Sequence, residues 1–244
     1  MFSEIRTKKC RLRFNDEFSQ ISDTFYRLDE YIAKCRLQTY KNKPGDGTSV
    51  YLVDIHGKKF IIKRYNASTL KLAIKRVLFG NKAFTSWQSA ILLRENNIAT
   101  IKPVAAIQHY KFRLRSHAFF VSEYIEGMTA RKYFAEDSSM KKYWQQAIEK
   151  IHTLTKQLKS LRFVHDDYHC ANILMVDHEP YLLDLDHVRQ FPTVSKEFID
   201  EHEYDIEHFH RLLKYNPTVQ AMFRERFGPA PPVSDTSSLP LDVD

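Results

Sequence analysis

The chain has 244 residues, 43% of them hydrophobic and 27% charged, with a formal net charge of +7 at pH 7. That size and apolar content can bury a sizeable core, as one two-lobed domain or two small ones. No apolar run approaches the roughly 20 residues of a membrane-spanning helix, and Met1 to Phe14 carries charges without an apolar signal core, so a cytosolic protein is expected.

Cys10, Cys35 and Cys170 are odd in number and widely separated, which argues against a disulfide framework or a paired-cysteine zinc site. Charge is divided unevenly. Residues 1–137 hold 25 Lys and Arg against 13 Asp and Glu, whereas residues 138–244 hold 12 against 17. A basic first half suits phosphate handling and an acidic second half suits metal and hydroxyl chemistry, although solvated surface charge accounts for the lysines equally well.

Lys34 to Tyr40 and Val50 to Ile55 read as strands around a polar loop, and His56-Gly57-Lys58 turns into a third strand, Lys59 to Tyr65. Gly45 and Gly47 in the polar loop would let backbone N–H groups face phosphate oxygens; an ordinary hairpin loop has the same composition. Lys63 lies among apolar strand neighbours and needs an anionic partner to offset desolvation. Arg64, one residue on, points to the opposite face.

Leu70, Ala73, Ile74, Val77 and Leu78 then form one apolar helix face, with Lys71, Lys75, Arg76 and later Lys82 opposite. Such a helix suits an anionic membrane, or a place on the small lobe with its lysines in solvent. A second helix is predicted from Ser86 to about Asn97. Val104 to Phe112 and Ala118 to Ile125 read as a hairpin, Gly127 lets the chain leave the sheet, and Thr129 to Phe134 begins a short helix.

Ser138 and Ser139 are candidate caps of a long helix whose stripe is Met140, Tyr143, Trp144, Ala147, Ile148, Ile151 and Leu158, a pattern of core packing. The most informative stretch follows: Val164-His165-Asp166-Asp167-Tyr168-His169-Cys170-Ala171-Asn172, a strand from Ile173 to Val176, a turn at Asp177-His178-Glu179-Pro180, and a strand from Tyr181 to Leu183 that ends in Asp184. A hairpin of this kind holds Asp167, Asn172 and Asp184 at one mouth. Transfer of a γ-phosphoryl group needs a carboxylate beside the acceptor hydroxyl and oxygen ligands for magnesium. Asp167 suits the first role; Asn172 and Asp184 suit the second. Singly, each reads as a turn or cap residue; the constellation between two apolar strands points to phosphotransfer.

His165 to Leu174 resembles the His-x-Asp-x-x-x-x-Asn catalytic loop of the protein-kinase-like superfamily, in the branch of aminoglycoside, choline and lipopolysaccharide sugar kinases, where His169 replaces the lysine usual in protein kinases. Order and spacing across residues 50 to 214 most resemble the lipopolysaccharide core kinases that phosphorylate heptose or 3-deoxy-D-manno-octulosonic acid (Kdo).

The resemblance implies an α+β, two-lobed protein-kinase-like fold: a β-rich N-terminal lobe over residues 1–125, a mainly helical catalytic lobe over 126–227, and a disordered tail over 228–244, where prolines and serines are frequent. It implies ATP and Mg2+ as cofactors. Asp167 would be the catalytic base, Asn172 and Asp184 the metal ligands, and Lys63 the contact to the ATP phosphates. Gly45 and Gly47 would form the loop over the phosphates, and Glu123 and Ile125 the hinge that binds adenine.

The implied acceptor is a lipid A–core glycolipid at the cytoplasmic side of the bacterial inner membrane, approached by a monomer in peripheral contact with anionic lipid. No nucleic-acid partner is expected. A soluble small-molecule kinase, a compact atypical protein kinase and a binding-only pseudokinase remain as alternatives.

The sequence departs from the protein-kinase pattern in four places. No Glu lies between Asp54 and Glu95 to pair with Lys63, so either Glu95 reaches it or another group does. Asp186 falls at the usual glycine and is open to a metal role. Asp166 replaces an arginine, and no long activation segment separates Asp186 from the helical stretch Val194 to Tyr215. In that stretch Asp205 either ties back to the catalytic loop or is solvated.

Overall fold

The computed structural model describes residues 1–42, 47–66, 81–111 and 114–227. Gly45, the stretch Leu70 to Leu78 for which a basic helix is predicted, and the residues from 228 lie outside them.

Seven strands form one antiparallel sheet: β1 (Phe2–Arg6), β2 (Cys10–Asn15), β3 (Arg36–Asn42), β4 (Thr48–Ile55), β5 (Lys58–Tyr65), β6 (Pro103–Lys111) and β7 (Leu114–Glu123). Their order across the sheet is β1-β2-β6-β7-β5-β4-β3. The predicted three-stranded meander is thus present as β3, β4 and β5. The turn between β4 and β5 uses His56 and Gly57, both at positive φ, and the Asp54 carboxylate accepts the Gly57 N–H at 2.8 Å. The N-terminal pair β1 and β2 extends the sheet beyond the expected strands. Lys34 and Cys35, expected in a strand, end helix α1 (Leu28–Cys35), whose Leu28 and Ile32 are buried one turn apart. β3 is exposed along its length and slips register twice against β4, as a managed sheet edge does.

Each face of the sheet is covered. On one, a 3₁₀ segment (Asp16–Arg27) and α1 pack Phe25 and Leu28 against Leu12, Val53, Phe60, Ile62 and Phe119. On the other lies α2 (Lys82–Glu95), with Trp87, Ala90 and Leu93 against Ala106 and Phe120. This second cluster continues without a break into the rest of the chain, through Ile151, Phe163, Ile173, Leu182, Phe209 and Phe223. One core therefore joins the β-rich first half to the second.

The second half contains β8 (Met128–Thr129), α3 (Ala130–Tyr133), α4 (Trp144–Ser160), β9 (Phe163–Val164), β10 (Ile173–Val176), β11 (Glu179–Leu182), β12 (Arg189–Gln190), α5 (Lys196–Leu212) and α6 (Pro217–Phe227). The long helix starts later than its serines suggested. Ser138 Oγ accepts the Met140 N–H in a turn, a 3₁₀ segment intervenes, and α4 begins at Trp144, whose indole N–H donates to the Tyr133 carbonyl at 2.9 Å. β10 and β11 form the expected hairpin around Asp177 and His178, both at positive φ. Gly127 is required by close approach: a Cβ there would lie 2.6 Å from the Met175 carbonyl oxygen.

Two predictions concern stability. Gly127→Ala is expected to destabilise by about 1–3 kcal/mol, since the obstacle is backbone; an unchanged melting temperature would contradict this. Burial holds the pKa values of His202, His165 and His210 below the ordinary histidine range, with His202 pushed down to about 4. Below about pH 6.5, the ordinary histidine value, the unfolded chain takes up protons that the folded chain refuses. Stability contributed by these rings is full above that pH and lost as pH falls toward 4. Burial pushes Asp205 the other way, up to about 7, giving a single opposing contribution that fades as pH rises. The melting temperature should therefore drop between pH 6.5 and 4, and by less in His202→Gln; an identical slope in that variant would contradict the assignment.

Candidate active site

Between the sheet and the second half lies a cleft of about 470 Å³. Val50 and Ile61 line it from the sheet, Leu174 and Leu183 from the hairpin, and Glu123, Tyr124 and Ile125 from the connection that leaves β7. Its polar lining includes Lys63, Asn172, Asp184 and Asp186. The expected hinge residues Glu123 and Ile125 thus face the same cleft as Lys63, Asn172 and Asp184. Asp167 joins them through Asn172. Tyr40 and Val50, on the strands either side of the glycine loop, also line the cleft. Gly47 sits at the foot of β4, where its carbonyl accepts the Asn66 N–H at 3.0 Å.

The residues around Asp167 form a tight set. Asn172 donates its side-chain amide to the Asp167 carbonyl at 3.0 Å and to Asp167 Oδ2 at 2.9 Å. Its own side-chain oxygen is left for the cleft. His169 Nε2 and His208 Nε2 lie 3.3 and 3.4 Å from Asp167 Oδ1. Burial would raise the Asp167 pKa, but the His169, His208 and Asn172 contacts outweigh it and hold the carboxyl well below the usual range. The group is ionised at any physiological pH.

The loop carrying Asp167 is braced from below. Asp205, on α5, is buried and accepts the His165 N–H at 2.7 Å, so it ties back to the loop. Tyr168 is also buried, stacks on Phe209 and shares a 2.9 Å hydrogen bond with Thr155 of α4. His165 Nε2 lies 2.8 Å from the Leu183 carbonyl, which fixes the loop against the residue before Asp184. His165 and His169 therefore both bond to backbone, His165 to the hairpin end and His169 within the loop, where its Nδ1 accepts the Ala171 N–H. Asp166 and Asp184 both hold positive φ, at 68° and 53°, a conformation that costs a non-glycine residue energy and that the surrounding contacts maintain.

Lys63 answers the question of its partner. Its ammonium lies 2.6 Å from Asp184 Oδ1 and 2.8 Å from Asp186 Oδ1. Burial alone would lower its pKa; the two carboxylates, Asp186 first, raise it, so the charge is retained. Asp186 is 9% exposed, and its Oδ1 also accepts the Tyr65 and Ser86 hydroxyls, both at 2.6 Å. Glu95 is exposed at the far end of α2 and lines a separate depression beside Phe2. The carboxylate that pairs with Lys63 thus comes from the segment after β11, and α2 contributes a serine where protein kinases use a helix glutamate.

Tyr65, Ser86 and His208 were not anticipated. Tyr65 stands two residues from Lys63 on the same strand face, and His208 three residues from Asp205 on the same helix face, so both spacings carried a signal. Ser86 carried none.

The chain matches the model of the lipopolysaccharide kinase (Kdo/WaaP) family over residues 37–221. A comparison with curated proteins gives no significant match. Among solved structures, the chain is similar to WaaP in complex with acyl carrier protein, at 16% identity and a TM-score of 0.60, covering 89% of this chain and 88% of that one. The Cydia pomonella granulovirus kinase PK-1 matches at 20% identity and a TM-score of 0.44, covering 71% of this chain and 59% of that one. The first of these shows a shared two-lobed, kinase-like α+β fold. The chain belongs to the lipopolysaccharide kinase (Kdo/WaaP) family, whose members are phosphotransferases acting on sugar hydroxyls.

Proposed function

We propose that this kinase of the lipopolysaccharide core transfers the γ-phosphoryl group of ATP, with Mg2+, to a hydroxyl of Kdo or heptose in the inner core. The observation that carries the reading is the gathering of Asn172, Asp184 and Lys63 at one cleft, with Asp167 bonded to Asn172 beside it. In this reading residues 1–125 handle the nucleotide phosphates, and residues 126–227 carry the base and the metal ligands.

The donor set fits magnesium, which takes hard oxygen ligands. Asn172 turns its amide hydrogens toward Asp167, so its oxygen is available, and Lys63 occupies only Oδ1 of Asp184. Magnesium bound there would neutralise charge on the triphosphate. Lys63 is charged and partly buried, and is placed to contact the α- and β-phosphates. Val50, Ile61, Leu174 and Leu183 suit an adenine ring, with the backbone of Glu123 and Ile125 as its polar edge. Gly47, just ahead of β4, would belong to the segment that covers the phosphates.

Asp167 orients the acceptor hydroxyl and takes its proton as the sugar oxygen bonds to the γ-phosphorus and ADP departs. A carboxylate held so strongly ionised is a weak base. That suits a loose transition state, in which positioning counts for more than proton affinity.

The acceptor is a lipid A–core glycolipid, met at the cytoplasmic face of the inner membrane by a monomer in peripheral contact. No described helix is long and apolar enough to cross a membrane.

Asp167→Asn should lower kcat for labelled glycolipid by about 10²–10⁴-fold, with melting temperature and nucleotide binding kept; near wild-type turnover would remove Asp167 from the role. Asp186→Ala should lower kcat/KM for ATP by about tenfold or more, a loss of roughly 1.4 kcal/mol, whereas Glu95→Ala should have no effect. A large loss in Glu95→Ala with little in Asp186→Ala would reverse the assignment of the Lys63 partner.

A further inference from the structure

We propose that His208 is a positioning residue for the reaction: reaching up from α5, its ring N–H fixes the Asp167 carboxylate in the orientation that meets the acceptor hydroxyl. This rests on the reading of Asp167 given above and adds a residue from a different element to the site.

The geometry begins on α5. Asp205 and His208 are three residues apart, on one face of the helix. Asp205 takes the backbone N–H of His165, and His208 reaches the side chain of Asp167. The helix thus grips the catalytic loop twice, once by its main chain and once by its functional group. The His208 side chain is only 17% exposed and its ring stacks on Tyr204 at 5.8 Å with 23° between planes, so it is held in place.

Protonation of the ring follows from its other nitrogen. Arg211 Nη2 lies 2.8 Å from His208 Nδ1. A guanidinium can only donate, so Nδ1 accepts and the neutral ring carries its proton on Nε2, which faces Asp167. At His169 the Ala171 N–H donates to Nδ1 at 3.1 Å, while Nε2 lies 3.2 Å from the Asn172 amide nitrogen as well as 3.3 Å from Asp167 Oδ1, so its neighbours do not fix the tautomer as those of His208 do. The His208 ring N–H is therefore directed at Asp167 Oδ1, with the His169 ring beside it, while the Asn172 amide holds Oδ2. His208 Nε2 has no hydrogen-bond partner among the described residues at strict geometry. At 3.4 Å it is a contact that a small movement of Asp167, such as one made as the acceptor arrives, would tighten.

A metal ion is the competing explanation, since ligand atoms of Asp167, His169 and His208 lie within 4.8 Å of one another. Coordination through Nε2 would put a proton on each Nδ1, directly against the Arg211 guanidinium and the Ala171 N–H. Both donors would lose their acceptor, so these neighbours disfavour a metal and favour a hydrogen-bonded carboxylate.

The test compares His208→Phe, which keeps a ring to stack on Tyr204 but has no N–H, with His208→Gln, whose amide N–H can occupy the Nε2 position. With transfer from ATP to purified core glycolipid measured for the wild type, His208→Phe should lower kcat about tenfold or more while leaving KM for ATP and acceptor within about twofold, and His208→Gln should recover most of the loss. The proposal is overturned if the Phe variant turns over like wild type, if Gln and Phe lose equally, or if the loss falls on acceptor KM alone, which would make His208 part of the acceptor wall. Nitrogen-15 NMR of the intact wild-type ring supplies a readout that needs no variant to fold: a protonated Nε2 and bare Nδ1 support the proposal, and the reverse tautomer or a Zn2+-induced shift of Nε2 at stoichiometric metal overturns it. Absence of any transfer by wild-type protein, with the expected tautomer present, would instead point to failure of the kinase reading on which this one rests.

Discussion

The ammonium of Lys63, held between Asp184 and Asp186, is the contact on which the arrangement of this molecule turns. A lysine on a buried strand face cannot stay charged without opposing charge, and both of its carboxylates come from the segment that leaves the β10–β11 hairpin, more than a hundred residues along the chain. The pair therefore fixes the sheet relative to the hairpin, and it sets the cleft between them. Asp186 extends the tie by taking the hydroxyls of Tyr65 and Ser86, so that β5, α2 and the hairpin all meet at one oxygen. Removing either side would leave buried polar groups without partners, at a cost in stability.

In a protein kinase, a glutamate on the helix beside the sheet meets the strand lysine, and movement of that helix makes or breaks the pair. Here the partner is carried by the same short segment as Asp184. The pair can form without any particular placement of α2, which contributes a neutral hydroxyl. Together with the direct run from Asp186 into β12 and α5, this describes a lysine–carboxylate pair assembled by the fold itself. The second support is α5, where Asp205 fixes the loop backbone and Phe209 and Tyr168 stack in the core beneath it.

Much of this was legible in the residues. The proximity of Asp167 to Asn172 and the place of Asp184 at the hairpin's end were readable because the apolar runs Ile173 to Val176 and Tyr181 to Leu183 predict the hairpin beside which they gather. Lys63 was readable as a charge among strand residues that bury. The sheet was readable wherever one face alternates, as in β4 and β5. β1 was not, because nearly all of its residues are exposed and no period-2 pattern survives. The start of α4 was misplaced because two serines offered caps, whereas the Trp144 indole bond to Tyr133, a contact between distant turns, decides where the helix begins. The partner of Lys63 was beyond reach for the same reason: Asp186 and Ser86 are separated by a hundred residues and meet only in the folded chain. The sequence left Asp205 open between solvent and the loop, and its burial follows from three-dimensional packing that no local pattern records.

The central claim is that oxygens of Asn172 and Asp184 bring one divalent ion to a nucleotide held in the cleft beside Lys63. Calorimetric titration with a non-hydrolysable ATP analogue, with and without Mg2+, tests it most directly. Binding that strengthens with Mg2+ in the wild type, and loses that dependence in Asp184→Asn, is the predicted result. Nucleotide binding indifferent to Mg2+, or no nucleotide binding at all, would contradict it.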